Sequence, residues 1–168
     1  GSGGILTKDG LAANVLYLSG NNTYTGITAI SSGVINVQSA SALGDVSGNT
    51  TISAGAALQI QGGISLAAEP ISLSSTGIST DGGIRNISGN NIITGIVTSA
   101  ATSRINTDSD TLTLNNNTGA LVLNASTTIG GVNNTLITGK IAGSNASFGI
   151  TKDNIGTLIL RGTANDYL

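Results

Sequence analysis

Side chains able to do acid–base or metal chemistry are few in this chain. Its 168 residues include eight acids (Asp9, Asp45, Glu69, Asp81, Asp108, Asp110, Asp153 and Asp166) and six Lys and Arg, with no His and no Cys. The absence of His and Cys excludes the usual zinc, haem, iron–sulfur, Cys-nucleophile and Ser-His-Asp chemistries. One acidic pair is close in sequence, Asp108-Ser109-Asp110. At strand spacing both carboxylates point the same way, which would suit a Ca²⁺ ion or paired-carboxylate catalysis. The flanking Ser103 to Ser109 reads instead as a turn, where acids are simply solvated, and this plainer reading is preferred. Asp81-Gly82-Gly83 is a lone fragment of the calcium-binding Gly-Gly-x-Gly-x-Asp pattern. Lys8-Asp9 and Lys152-Asp153 stand at equivalent places in two similar stretches, where an ion pair adds little at a surface. Nothing points to a Lys–Asn–acid triad for an isopeptide bond. No residue is therefore assigned a catalytic, cofactor-binding or metal-binding role, and no cofactor is expected.

The elements that carry these groups follow from composition. Gly (25), Thr (22), Ser (20) and Asn (18) make up about half the chain. Charged residues are 8%, against about 25% in ordinary soluble proteins. A net charge of −2 with so few bases excludes nucleic acid, whose phosphates need a basic face. The 39% of hydrophobic residues argues against a flexible linker. They lie in short runs, far below the roughly 20 residues of a spanning helix, so no membrane insertion by this segment is expected. Alternation of period 2 recurs in Leu16-Tyr17-Leu18, Ile35-Asn36-Val37, Leu58-Gln59-Ile60, Ile71-Ser72-Leu73, Leu112-Thr113-Leu114 and Leu158-Ile159-Leu160. Turn-forming Gly, Asn, Ser and Asp separate these runs. The chain is predicted to be all β, with helix content near zero.

Spacing then selects the architecture. Ile30 to Gly33 matches Ile52 to Gly55 at an offset of 22, and Ile105 to Leu114 matches Ile129 to Thr138 at an offset of 24. Such periods fit a right-handed parallel β-helix, a solenoid of about 7–8 coils of 22–24 residues and about 35 Å long. Each coil relies on its neighbours for a buried interior. A longer echo links Ser19 to Ile27 with Ser88 to Ile96, an offset of 69. Leu6-Thr7-Lys8-Asp9 returns as Ile150-Thr151-Lys152-Asp153, Leu16 to Gly20 as Leu158 to Gly162, and Tyr24 as Tyr167. This gives a single β-helix segment read as a piece of a longer array. A repeat motif spans 4–44, variable coils span 45–147, and the next repeat starts over 148–168. Pro70 is expected at a coil corner, since it cannot donate to a ladder.

The motif at 4–44 reads Gly4-Ile5-Leu6-Thr7-Lys8-Asp9-Gly10, then Val15 to Thr28 with Leu16-Tyr17-Leu18-Ser19-Gly20-Asn21-Asn22-Thr23-Tyr24-Thr25-Gly26, then Ser32 to Val37 and Ala40-Ser41-Ala42-Leu43-Gly44. It resembles the autotransporter-associated β-strand repeat, whose pattern joins Leu-x-Leu-Ser-Gly to Asn-Thr-Tyr-Thr-Gly and ends in Ala-Leu-Gly. The second copy departs from it at Arg161 and at Asn165-Asp166-Tyr167. The resemblance implies a parallel β-helix in the secreted passenger of a bacterial surface protein, often a large adhesin.

In physical terms, Gly20, Asn21, Asn22 and Gly26 are suited to tight turns with positive φ. Asn side chains are suited to backbone bonds or to ladders between coils. Tyr24 is expected to cover a turn, ring packed and hydroxyl wet, with carbohydrate contact the lesser alternative. The expected function is a stiff, non-enzymatic stalk and multivalent adhesion surface, extracellular or on the bacterial cell surface. Its expected partners are neighbouring β-helix repeats of the same or another chain, and surface glycans or proteins. The alternatives are a self-assembling extracellular fibre subunit stacking through coil ends and, less favoured, a β-helical polysaccharide-active enzyme.

Overall fold

The computed structural model describes residues 3–143 and 145–166. The expected echo of Tyr24 at Tyr167 lies outside the described residues. Among those described, the chain is a β-solenoid of about seven turns, with one short 3₁₀ turn at Ile78–Thr80. Among the described residues no helix is long and apolar enough to cross a membrane.

Three parallel sheets form the sides. The first stacks β1 (Leu6–Lys8), β3 (Thr28–Ile30), β5 (Thr50–Ile52), β8 (Ile71–Leu73), β11 (Val97–Ser99), β14 (Leu121–Leu123) and β17 (Ile141–Gly143). The second stacks β2 (Val15–Leu18), β4 (Gly33–Val37), β6 (Ala56–Gln61), β9 (Ile84–Ser88), β12 (Ser103–Thr107), β15 (Thr127–Gly131) and β18 (Ile150–Lys152). The third has β7 (Ser65–Leu66), β10 (Asn91–Ile93), β13 (Thr111–Leu114), β16 (Asn134–Ile137) and β19 (Leu158–Leu160). The third side of the first two coils is built from irregular loops, 19–27 and 38–49. The stretch 4–44 thus falls within the two coils lacking a third strand among the described residues.

Coil length varies more than the sequence spacing suggests. On the first sheet Leu6, Thr28, Thr50, Ile71, Val97, Leu121 and Ile141 stand in one register, in steps of 22, 22, 21, 26, 24 and 20 residues. The long step holds the 3₁₀ turn in the corner between β8 and β9. The 69-residue echo is three coils in register on this sheet, from Thr28 to Val97.

Two other matches shift. Ile105 pairs with Ile129, but Leu112 pairs with Thr135 and not Leu136. The turn before β13 is one residue longer than that before β16, so Leu136 faces out while Thr135 is buried. The Lys-Asp echo is a correction of a larger kind. Leu6–Lys8 lies on the first sheet and Ile150–Lys152 on the second, so the two copies sit on different sides. The local chemistry is shared all the same. Lys8 Nζ donates to the Asp9 carbonyl at 2.8 Å, and Lys152 Nζ to the Asp153 carbonyl, each folding back over its own turn.

Inward residues alternate with outward ones along each strand, as the pleat requires. Ile35, Leu58, Ile84, Ile105 and Ile129 form one fully buried aliphatic row, and Leu66, Ile93, Leu114 and Ile137 another. Polar residues occupy the corners. Ser99, Ser103 and Thr127 join hydroxyl to hydroxyl at 2.9 and 3.1 Å. Thr107 and Thr135 do so at 2.8 Å. Asn91 Nδ2 donates to Asn86 Oδ1 at 2.6 Å. Each of these groups is buried, and each is satisfied, which burial of a polar group demands.

The tight-turn expectation for 19–26 is corrected in its detail. None of Gly20, Asn21, Asn22 or Gly26 has positive φ. Gly26 is small because it stacks: its N–H donates to the Gly4 carbonyl at 3.0 Å, and a Cβ there would strike the Gly4 backbone.

Candidate functional site

The outer surface of the second sheet carries a column of planar polar side chains. Tyr17 is level with Asn36, Asn36 with Gln59, Gln59 with Arg85, and Arg85 with Asn106. Gly130 follows Asn106 in the register, and Asp153 lies level with Gly130, one step past the Ile129–Lys152 pair. Strand alternation turns each of them outward; Tyr17, Asn36 and Gln59 stand between two apolar neighbours, whereas Arg85 and Asn106 have the buried polar Asn86 and Thr107 on one side. Parallel stacking spaces them about 4.8 Å apart.

At the amino-terminal end these groups bond to one another. Asn36 Nδ2 donates to Gln59 Oε1 and to Gln61 Oε1, both at 3.1 Å. Gln38 Nε2 donates to Asn36 Oδ1 at 3.1 Å. Asn36 is only 2% exposed, whereas Tyr17 at the end of the column is 61% exposed. Asn36, outside the 19–26 motif, thus forms an Asn–Gln ladder, whereas Asn22 of the motif donates its Nδ2 to the Ala42 carbonyl at 2.6 Å.

At the centre, Arg85 donates through Nε to Asp108 Oδ2 at 2.9 Å and through Nη2 at 2.6 Å, and it also pairs with Asp81. The corner beside it is irregular. Ser79 and Thr80 both have positive φ, 57° and 64°, which is uncommon for any non-glycine residue and costly for a β-branched one. Asp81 Oδ1 is buried without a partner among the described residues.

Farther along, Arg104 clasps Asp153 with Nη1 to Oδ2 at 2.7 Å and Nη2 to Oδ1 at 2.9 Å, while its Nε donates to Asn106 at 2.9 Å. The guanidinium passes over Gly130, where a Cβ would collide with both Arg104 and Asp153. The hydrogen bonds from Arg104 hold the Asp153 carboxyl below its ordinary range. A carbon NMR titration of that carboxyl tests the clasp. Both Arg104→Gln and Gly130→Ala should raise the Asp153 pKa toward the ordinary carboxylate value.

The acids singled out by spacing do not converge. Ser103–Thr107 is a strand and not a turn, so Asp108 begins the corner and turns to Arg85. Asp110 has positive φ, 58°, and accepts from the Gly89 N–H at 2.7 Å and from Ser109 Oγ at 2.9 Å. Those bonds, the Gly89 one foremost, lower its pKa. No group of three metal-ligating side chains occurs among the described residues. Tyr24 is packed as expected, but its hydroxyl is not left to water: it bonds Thr28 Oγ1 at 2.7 Å. Burial raises the Tyr24 pKa.

Glu69 was visible in sequence only as one acid of eight. It is buried at the corner before β8, receiving the Thr50 hydroxyl at 2.7 Å, and its burial pushes its pKa to about 7. The column residues carried a weak signal too. Tyr17, Asn36 and Gln59 are the middle residues of three alternating runs, but only the register shows that they share a line.

No family model, curated protein or solved structure matches this chain.

Proposed function

We propose that this chain is a structural and adhesive segment of a secreted bacterial surface protein, acting as a stiff spacer whose sides meet other surfaces. The observation that carries this reading is the unbroken stacking of the first and second sheets through every coil around one aliphatic interior. Force along such a rod is borne by hydrogen-bond ladders and a continuous core rather than by one hinge. The resemblance of 4–44 to the autotransporter-associated repeat supports the same reading.

Light scattering with far-UV circular dichroism across a concentration series tests it. A strand spectrum with a constant monomer mass is expected. A mass that grows with concentration, by end-to-end addition, would replace the spacer reading with a self-assembling fibre subunit.

A further inference from the structure

Resting on that reading and naming a partner for it, we propose that the second-sheet column binds a neutral, hydroxyl-rich polysaccharide lying along the solenoid axis. The binding track runs from Tyr17 through Gln59 and Gln61 to Arg85, over the buried Asn36 that holds both glutamines.

Charge decides the class of ligand. Arg85 is matched by Asp81 and Asp108, and Arg104 by Asp153. Two guanidinium groups stand against three carboxylates, so the face offers no free cation to a polyanion and too small a net charge to hold a polycation. What it presents instead are uncharged donors and acceptors in a fixed row. Asn36 pins the carbonyl oxygens of Gln59 and Gln61. Their amide N–H groups have no partner among the described residues, and both glutamines are half-buried and so within reach of a ligand on the outer face. Donors held this way lose little freedom when a hydroxyl replaces water. Tyr17 adds an exposed ring with one polar tip, suited to the apolar face of a sugar ring. The row advances about 4.8 Å per coil, about the length of one pyranose. An extended chain would therefore advance by one coil of the column for each successive sugar.

The test is affinity electrophoresis of the whole chain in native gels cast with dextran, hydroxyethylcellulose, galactomannan or galactan, with alginate as the anionic control. Marked retardation by at least one neutral polymer is expected, with none by alginate. Tyr17→Ala and Gln59→Ala should each weaken it about tenfold, with an unchanged strand spectrum. Gln61→Ala replaces Gln59→Ala if that variant loses strand signal. Thr113→Ala on the third sheet should bind as the parent does. No retardation by any neutral polymer, retardation by alginate alone, or equal retardation of the column variants would overturn the proposal. If scattering finds a monomer while every neutral gel is silent, the binding site falls and the spacer stands. If the gels respond while the mass grows with concentration, the spacer reading falls and the site stands.

Discussion

Glu69→Gln should stabilise the protein above neutral pH and flatten its stability between pH 5 and 8. In the folded chain the Glu69 carboxyl is pushed from 4.5 up to about 7 by burial, with the Thr50 hydroxyl only partly offsetting that. The folded state therefore holds a proton that the unfolded chain has released over this interval. Stability is fully present below about pH 4.5, declines as pH rises, and levels off above about 7. A shift of this size corresponds to at most about 3 kcal/mol, and relaxation of the surroundings of a buried carboxylate leaves on the order of 2 kcal/mol. For a chain of this length that is about 4–8 °C in thermal midpoint. Glutamine keeps an acceptor for Thr50 and carries no charge to bury. The opposite limb belongs to Asp153, Asp110 and Asp45, whose pKa values are all lowered. Their contribution is present above the ordinary carboxylate range and lost as pH falls below it. The parent should thus be most stable between about pH 4 and 5. Calorimetric scans of parent and variant at several pH values check this, and a parent profile rising from pH 5 to 8 would refute it.

The second large effect is expected at Ile105. It is fully buried, with Ile84 before it and Ile129 after it in one inward row. Ile105→Ala leaves a cavity that the neighbouring coils close only in part, at a cost of about 3–4 kcal/mol. Because the coils are coupled through their neighbours, the loss is felt at one level of the rod. Urea unfolding should move to a lower midpoint, and the transition should broaden as the halves on either side separate. Ile155→Ala, at a side chain 86% exposed, should change the midpoint little.

The strands and the solenoid were legible because aliphatic residues alternate with polar ones at a coil-length spacing. Ile30 and Ile52, and Ile105 and Ile129, do pair as that spacing implies. What escaped was the register at the corners. There the inward residue is often Asn or Thr, so alternation no longer marks the inside. Matching Leu112 to Leu136 maximises likeness, yet one turn residue fewer brings Thr135 inward to bond Thr107. Glu69 gave no signal because a buried carboxyl has the same letter as a solvated one. The Asn36–Gln59–Arg85 line was hidden because its members are 23 and 26 residues apart, unequal steps that no fixed period joins.

The two Lys-Asp turns, 144 residues apart and on adjacent sides, imply a property of any array built on that interval. The interval is not a whole number of coils, and it displaces its marker by one side of a three-sided shaft. Successive copies would then be rotated by about a third of a revolution. Their marked turns would wind around the shaft like the treads of a spiral stair, and every third would return to the same bearing. A surface approached from one direction would meet a given feature intermittently along the length, while the shaft as a whole would have no preferred side.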